Sequence, residues 1–327
     1  RRCIRSIAEH TDVPYELIVV DNASTDGTRE FLRDEVRDAT VIFNDTNLGF
    51  GVAANLGAAR ARAPIVVFVN SDVIVSPNWL DPLCRRLEEY PRNAVAGAKI
   101  VDLHGRIDHA GALLGHDGWA MHYGEGDDPN QPEYAFARRV DYVTGACMAV
   151  RARLFHETGG FDPWFRIAYF EDADLCLRFA ARGWEVWYEP ASVVTHAGGA
   201  SGSEEGTRAL LAVNHPRFHH RWRTLLRVRP DAPLSTRPER IIGARDAMAR
   251  ESILIIGDDQ GLADSLRLGG FAADVVDAVS PAWLETRRFH YDRIAGAGAE
   301  LDELLAETQP QAARITIDQL RALDQRK

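Results

Sequence analysis

Several carboxylates of this chain follow short apolar segments and could take part in chemistry. Asp72 follows the apolar stretch 65–69, and Asn70 lies two residues before it. In an extended chain, residues two apart point to the same side, so both side chains could offer oxygen atoms to one hard divalent cation. The same residues could form an Asx turn that simply ends a strand. Both interpretations stay open on this segment alone.

A second carboxylate, Asp21, follows the β-branched apolar segment 16–20. It could accept a hydrogen bond from a nucleobase or a ribose hydroxyl. The alternative is a structural brace for the loop before the next helix. Ser24 and Asp26 are better placed for that bracing role, and we therefore expect Asp21 to be free for a ligand.

Glu171 and Asp172 stand at the start of a predicted helix, where the helix dipole favours acidic residues. They could instead supply a general base, because nearby aromatic residues would exclude water and raise a carboxyl pKa. These aromatic residues would equally suit an ordinary core. His196 ends a predicted strand, and a lone histidine is more often structural; it gains interest only as a metal ligand beside Asp72.

The elements around these residues predict an α/β fold. Apolar segments at 16–20, 40–43 and 64–69 alternate with helical segments, as in a mostly parallel sheet flanked by helices. Ligands of such sheets bind beyond the carboxyl ends of the strands, where Asp21 and Asp72 lie. We expect further strands at 94–101, 107–114, 141–150, 185–188 and 192–195, a loop at 115–132, and helices at 171–182 and 204–226. A linker is predicted at 227–250, followed by a second, small α/β unit at 251–327.

Composition limits the classes of function. The 327 residues carry 48 acidic and 38 basic side chains, a formal net charge of −10, which disfavours non-specific binding to nucleic acid. The four cysteines form no CxxC pair, which argues against structural zinc and suits a reducing cytosol. The longest purely apolar run near the middle is far shorter than the roughly 20 residues of a membrane-spanning helix. We therefore predict a cytoplasmic protein that could associate peripherally with the inner face of the cell membrane.

Taken together, the ordered motifs resemble those of family 2 inverting glycosyltransferases of the GT-A fold, and most of all the rhamnosyltransferase-like and galactofuranosyltransferase-like members. The resemblance covers residues 1 to about 225. It rests on VVDNASTDGT at 19–28, NLGFGVAANLG at 47–57, VNSD at 69–72, TGACMAVRARLF at 144–155, GGFD at 159–162, YFEDADLCLR at 169–178, GW at 183–184 and the histidine at 196.

The resemblance implies transfer of a sugar, for example a rhamnose-like one, from a dTDP- or UDP-linked donor to a hydroxyl of a cell-surface glycan or glycolipid. It implies that Asp172 is the catalytic base and that Glu171 helps to orient the acceptor. Mg²⁺ or Mn²⁺ would be held by Asp72 and His196, with Asn70 as the first position of the metal motif. The implied nucleotide pocket contains Asp21, Asn22, Ser24, Asn47, Gly49, Asn55 and Ser71. The implied acceptor and sugar pocket contains Thr144, Gly145, Trp164 and Tyr169.

The sequence departs from the family pattern in three places that matter. One is Ala54, where many members carry an arginine before the asparagine of the 47–57 motif. The family begins with an apolar strand before the helix predicted here at 1–10, and we expect this first strand to be missing. The first metal-motif position is Asn70 rather than an aspartate. The unit at 251–327 resembles the opening of a GT-B-type transferase or a receiver-like unit; with no aspartate after its third strand, we favour a truncated, Rossmann-like transferase half.

Two other functions compete with this interpretation. A catalytically inactive nucleotide-sugar-binding or scaffold module is the first, because the first strand is expected to be missing. A dinucleotide-dependent oxidoreductase is disfavoured because no GxGxxG motif follows a predicted strand. The sequence makes no prediction about the oligomeric state.

Overall fold

The computed structural model of this chain describes residues 1–131, 134–135, 137–198, 204–227, 229, 252–268, 271–285, 291–310 and 312–324. The predicted linker at 227–250 therefore lies outside the described residues, apart from 227 and 229. Within the small unit expected at 251–327, residues 269–270 and 286–290 also lie outside them.

The amino-terminal part alternates between helices and strands, as predicted. In chain order it contains α1 (Arg2–His10), β1 (Ile18–Asp21), α2 (Thr28–Asp34), β2 (Thr40–Phe43), α3 (Phe50–Ala58) and β3 (Ile65–Val69). Strands β1 and β2 pair in parallel and form a two-stranded sheet of their own. Polar residues follow β1 and β3 at their carboxyl ends, the positions from which the sequence predicts ligand binding.

A larger sheet of seven strands carries the rest of this part. Its main path runs β3-β10-β5-β11-β4, with β6 on β5 and β9 on β11. The new strands are β4 (Val73–Val75), β5 (Asn93–Val101), β6 (Ile107–His109), β9 (Arg138–Arg139), β10 (Cys147–Arg151) and β11 (Glu185–His196). One of the six pairings, β5 with β11, is parallel. The expectation of a mostly parallel central sheet is therefore wrong: the sheet is mixed, because β10 runs antiparallel between β3 and β5.

The middle of the chain differs from prediction in several strand boundaries. The strand expected at 107–114 is divided into β6 and β7 (Ala112–Leu114), and the expected loop at 115–132 contains β8 (Ala120–His122), the antiparallel partner of β7. The strand expected at 141–150 begins only at Cys147. The two short strands expected at 185–195 are one strand, β11, whose register against β5 shifts between Glu189 and Val193. Long-range pairing with β5, which local sequence does not reveal, holds β11 together.

Helices cover both faces of the seven-stranded sheet. They are α4 (Leu80–Glu89), α5 (Ala152–Thr158), α6 (Glu171–Ala180) and α7 (Glu204–Leu226). Strand β5 is buried almost throughout, and its alternating side chains enter two different cores. Val95 packs in the core that includes α6 and α7 residues, whereas Ala96 packs in the core that includes α1 and α4 residues.

The carboxyl-terminal part forms a four-stranded, fully parallel sheet in the order β13-β12-β14-β15. The strands are β12 (Ser252–Ile256), β13 (Ala272–Val276), β14 (Arg293–Ala295) and β15 (Ala313–Ile315), and the helices are α8 (Gln260–Leu268), α9 (Pro281–Glu285), α10 (Asp302–Thr308) and α11 (Ile317–Asp324). This is the alternating α/β pattern that the sequence predicts. In the parts of the chain that are described, no helix is both long and apolar enough to cross a membrane.

Asp174 ties helix α6 to helix α7. Its fully buried carboxylate accepts hydrogen bonds from Arg178 on its own helix at 2.7 Å and from Arg221 at 2.9 Å. The indole N–H of Trp222 donates to the same carboxylate at 3.0 Å. Three donors around one buried charge offset the cost of removing it from water. The contact fixes the helix that carries Glu171 and Asp172.

We predict that Asp174→Ala lowers the free energy of unfolding by about 3 kcal/mol, because it leaves two arginines without their buried counter-charge. Urea unfolding followed by circular dichroism measures the change. Asp81→Ala is the matched control, since the Asp81–Arg85 pair also spans one helical turn but is exposed; its expected effect is below about 0.5 kcal/mol. Equal losses for the two variants would contradict the anchoring role of Asp174.

Candidate functional site

The predicted metal motif lies in the turn between β3 and β4. The ladder between β4 and β11 places Val73 opposite His196, so Asp72 and His196 meet at the edge of the sheet. The Asp72 carboxylate and His196 Nε2 are 3.4 Å apart, and the Asp72 side chain is largely buried. His196 lowers the pKa of Asp72 by hydrogen bonding to its carboxylate. The structure therefore brings together the two residues that the sequence could connect only through the family resemblance.

Asp108 is a third member of this group that sequence reasoning missed. It lies on β6, and its carboxylate is 2.9 Å from His196 Nδ1. Hydrogen bonds from His196 to Asp108 and Asp72 raise the histidine pKa to about 9. The available signal was the alternation along β6, where Ile107 and His109 are buried and Asp108 is not. A carboxylate on one ring nitrogen orients the other nitrogen, here towards Asp72.

The chemistry of this group fits a divalent cation in part. Carboxylate and imidazole ligands suit Mn²⁺, and carboxylate oxygen suits Mg²⁺. Ser71 is exposed in the same turn, and the backbone N–H of Asn70 donates to the Ala146 carbonyl at 2.9 Å. In the described ranges, no group of three or more His, Cys, Asp and Glu side chains is already gathered as a metal site. Asp72 and His196 would thus be a partial ligand set, which the oxygen atoms of a diphosphate could complete.

The predicted base lies on the first turn of α6. Asp172 accepts hydrogen bonds from the backbone N–H groups of Gly145 at 3.2 Å and Ala173 at 2.8 Å. Burial raises the pKa of Asp172, and these N–H groups partly oppose the shift. Burial raises the pKa of Glu171 well above its usual value, and the Asp172 charge adds to this increase. The two neighbouring carboxyls are thus shifted together towards the range in which a general base works.

The backbone of Thr144–Ala146 joins the base to the metal motif. The N–H of Thr144 donates to His109 Nε2 at 3.2 Å, and the N–H of Gly145 donates to Asp172. The carbonyl of Ala146 accepts from the N–H of Asn70. This segment, which we call the hub, contacts β6, α6 and the β3–β4 turn through successive residues. It holds the two parts of the predicted catalytic site next to each other.

The predicted nucleotide-binding loops after β1 and β2 are braced by their own polar side chains. Asn22 donates to Asn47 Oδ1 at 2.9 Å and to the Gly49 carbonyl at 3.2 Å, and Asn22 Oδ1 accepts from Asn44 and from the Leu48 N–H. These bonds close the two loops on each other. Asn22 and Asn47 therefore shape this region through protein contacts.

Asp21 has partners that the sequence argument did not anticipate. Its buried carboxylate accepts the backbone N–H of Ser24 at 3.3 Å and lies 3.4 Å from the Arg29 guanidinium. Asp26 braces the start of α2 through the N–H of Thr28. The expectation that Ser24 and Asp26 would leave Asp21 free is therefore wrong, because Asp21 itself receives the loop N–H. A nucleotide would have to share this carboxylate with Ser24 and Arg29.

The remaining predicted residues lie around the segment that precedes α6. Asn55 bonds both the N–H and the carbonyl of Phe161, at 2.9 and 2.7 Å, and so braces that segment. Trp164 and Tyr169 are 40% and 38% exposed, so both are accessible to a ligand. Gly49 packs against the backbone of Ile167, where a Cβ atom would lie 2.5 Å from the carbonyl oxygen.

A group of aromatic rings that sequence reasoning did not single out lies beside the base. The Tyr142 hydroxyl is 3.2 Å from His122 Nε2, and the His122 ring meets His109 edge-on with centroids 5.2 Å apart. Burial raises the pKa of Tyr142 well above its usual value, and the Asp172 charge contributes. The pairing of β7 with β8 carries His122 to this position, so no local motif indicates it.

We predict that Gly145→Ala destabilises the protein by about 1–3 kcal/mol, because the added Cβ atom would lie 2.8 Å from the Phe50 ring. Thermal or urea unfolding measures the loss. Gly261→Ala is the control: it lies in helix α8 with no neighbouring atom within 4 Å, and alanine favours helices by about 1 kcal/mol. A neutral Gly145→Ala would show that the hub tolerates a side chain and contradict its tight packing.

Comparisons with known proteins test the predicted family and fold. Residues 1–116 match the model of the family described as "Glycosyl transferase family 2". An uncharacterized protein of Sinorhizobium fredii, y4gI, is 32% identical over 223 residues, which are 64% of this chain and 24% of that protein. An N-acetylglucosaminyl-diphospho-decaprenol L-rhamnosyltransferase of Mycobacterium tuberculosis is 29% identical over 223 residues, covering 60% of this chain and 70% of that enzyme.

Among solved structures, GalNAc-T7 with UDP, GalNAc and Mn²⁺ is similar in fold, with a TM-score of 0.50 and 17% identity over 64% of this chain and 44% of that one. The chain thus spans about a quarter of the first relative named above and less than half of this structural neighbour. These findings confirm the predicted GT-A type of fold. Residues 1–116 carry the match to glycosyl transferase family 2, and the fold is similar to that of GalNAc-T7 over 64% of this chain.

Proposed function

We propose that residues 1–226 form an inverting glycosyltransferase that moves a sugar from a nucleoside-diphosphate sugar to a hydroxyl of a glycan or glycolipid acceptor. The observation that carries the proposal is the hub. Its Gly145 N–H donates to the Asp172 carboxylate, whose pKa is raised. Its Ala146 carbonyl accepts the N–H of Asn70, in the turn that carries Asp72. The reaction needs a base for the acceptor hydroxyl and a carboxylate ligand for the cation that would stabilise the leaving diphosphate.

In this mechanism Asp172 removes the proton from the acceptor hydroxyl as the oxygen attacks the anomeric carbon. Attack from the face opposite the diphosphate inverts the configuration at that carbon. The N–H of Gly145 fixes the Asp172 carboxylate, so little reorganisation is needed at the moment of transfer. Glu171 lies buried beside it, and burial raises its pKa, which favours the protonated form that could donate a hydrogen bond to the acceptor.

A divalent cation, Mg²⁺ or Mn²⁺, would stabilise the negative charge of the departing diphosphate. Asp72 and His196 would hold it, and Asp108 would orient the His196 ring. Asn70 would contribute mainly through its backbone, because its N–H is bonded to the hub. Ser71, exposed in the same turn, could meet the nucleotide.

The donor and acceptor classes are proposed from the relatives. The mycobacterial relative is named as a rhamnosyltransferase acting on N-acetylglucosaminyl-diphospho-decaprenol, and the structural neighbour contains UDP. A dTDP- or UDP-linked sugar donor and a glycolipid acceptor follow by analogy. Trp164 and Tyr169, both exposed near α6, supply aromatic surface for the acceptor. A lipid-linked acceptor would bring the enzyme to the inner face of the membrane by peripheral association.

One observation favours a second candidate, a nucleotide-sugar-binding or scaffold module without catalysis. Asp21, Asn22, Asn47 and Asn55 are all engaged in hydrogen bonds within the protein. A donor pocket whose polar groups are satisfied internally gains less from a nucleotide. Nucleotide binding without turnover, measured with a panel of donors and acceptors, would support this second candidate over the first.

We predict that Asp172→Asn lowers kcat for nucleotide release by about 10²- to 10⁴-fold, the usual contribution of a general base. The amide keeps the size of the side chain and can still accept from Gly145, so the fold should persist. The measurement is nucleotide release from dTDP- and UDP-sugars with Mg²⁺ or Mn²⁺. Asp81→Asn on α4 serves as the control. Turnover of Asp172→Asn at the wild-type rate would exclude Asp172 as the base.

The pH profile offers a second readout of the same residue. Because burial raises the pKa of Asp172, the acid limb of wild-type kcat/KM should lie above the pH at which an exposed aspartate titrates, near 4. Activity is lost as the pH falls through this raised pKa, since the protonated carboxyl cannot accept the hydroxyl proton. An acid limb at or below pH 4 would contradict the assignment.

We predict that Asp72→Asn weakens nucleotide-sugar binding in the presence of Mn²⁺ and lowers the rate by on the order of 100-fold. Calorimetric titration with the nucleoside diphosphate, with and without EDTA, tests binding apart from turnover. EDTA should reduce affinity for the wild type and have little further effect on Asp72→Asn. If EDTA changes neither affinity nor rate in the wild type, Asp72 and His196 are not metal ligands.

A further inference from the structure

Two consecutive non-glycine residues adopt left-handed backbone conformations just before the predicted base. Tyr169 has φ 75° and Phe170 has φ 73°, and α6 begins at the next residue. The carbonyl of Phe170 accepts the N–H of Asp174 at 2.9 Å, so this turn sets the first hydrogen bond of the helix. L-residues disfavour this region, and such a turn persists only where its surroundings impose it.

The side chain of Asn214, on α7, binds this turn and the residues before it. Its amide Nδ2 lies 2.9 Å from the carbonyl oxygen of Ala168, 3.0 Å from that of Phe165 and 3.3 Å from that of Tyr169. Asn214 is completely buried. The two N–H bonds of this one amide are thus shared among three backbone carbonyls.

The segment around this turn makes further contacts, including one at an exposed position. The Tyr169 hydroxyl bonds Thr207 at an exposed position, 2.9 Å away, and the Phe170 ring packs against Phe218. The N–H of Phe50, at the start of α3, donates to the Ile167 carbonyl at 2.9 Å. Asn214 is the buried side chain of α7 that bonds carbonyls on both sides of Ile167.

We propose that Asn214 is a positioning residue for the transfer reaction. By holding the left-handed turn at Tyr169 and Phe170, it fixes where α6 begins and hence where the Asp172 carboxylate stands relative to Gly145. Without the amide, the turn relaxes towards ordinary φ values and the base leaves its place. This inference rests on the proposed role of Asp172, but the effect of Asn214 on the turn can be measured without any activity.

The first test is the kinetics of Asn214→Ala, with rates expressed per nucleotide-binding molecule. We expect kcat for nucleotide release to fall at least 10-fold while the KM for the donor stays within threefold. Asn214→Ser is the second variant, should the alanine protein fold poorly. Val213→Ala is the control, because Val213 is the neighbouring residue on α7 and is 50% exposed. A kcat for Asn214→Ala within twofold of the wild type would overturn the proposal.

The second test is rescue. Glycine adopts left-handed conformations without steric cost, so Tyr169→Gly should remove part of the need for Asn214. We expect Asn214→Ala to cost at least threefold less in kcat in the Tyr169→Gly background than in the wild-type background. A general loss of stability would not produce this coupling. Equal losses in the two backgrounds would overturn the proposal.

A third measurement separates this inference from the proposed function. If the wild type shows no turnover, the proposed function fails and the kinetic tests do not apply. Hydrogen exchange at the backbone amide of Asp174 then tests the role of Asn214, because this N–H donates to the Phe170 carbonyl and that bond depends on the left-handed turn. Exchange at least 10-fold faster in Asn214→Ala than in Val213→Ala supports the role of Asn214, and equal exchange overturns it.

Discussion

The hydrogen bond from the Gly145 N–H to Asp172 is the interaction on which the rest of the candidate site depends. The neighbouring residues of the same segment reach His109 and Asn70, so a single short stretch of backbone connects three separate parts of the chain. The central residue of this segment, Gly145, has no side chain, and the Phe50 ring occupies the space that a Cβ atom there would take. Close packing of backbone against ring makes the relative position of base and metal motif a property of the fold rather than of flexible side chains.

The sequence predicts well those features that arise from local chemistry. Asp72 and Asp172 could be selected because one ends an apolar strand and the other begins an amphipathic helix, and both lie where they were expected. The helix at Glu204–Leu226 and the alternating pattern after residue 251 were also readable from periodicity. In each case the neighbours in sequence determine the structure, so propensity and pattern are sufficient.

Features that depend on pairing between distant segments were not predictable in this way. The antiparallel insertion of β10 between β3 and β5 makes the sheet mixed, and no local signal reveals it. Asp108 and His122 reach the site only because β6 and β8 pair with particular partners. Asn214 looks like an ordinary polar residue of a helix until the carbonyls of a loop 45 to 49 residues earlier surround it. The bond from the Ser24 N–H to Asp21 is not predictable, because a general preference for caps does not specify which carboxylate receives a loop N–H.

The close approach of Gly49 to Ile167 has a consequence for the motion of the site. With no side chain at Gly49, the loop after β2 and the loop before α6 contact each other through their backbones. The Phe50 N–H donates to the Ile167 carbonyl and stabilises this contact. Neither loop can shift without pushing or pulling the other. A shift of the loop after β2 would therefore move the segment before α6, and under the proposed function donor binding would reach the base through this backbone contact.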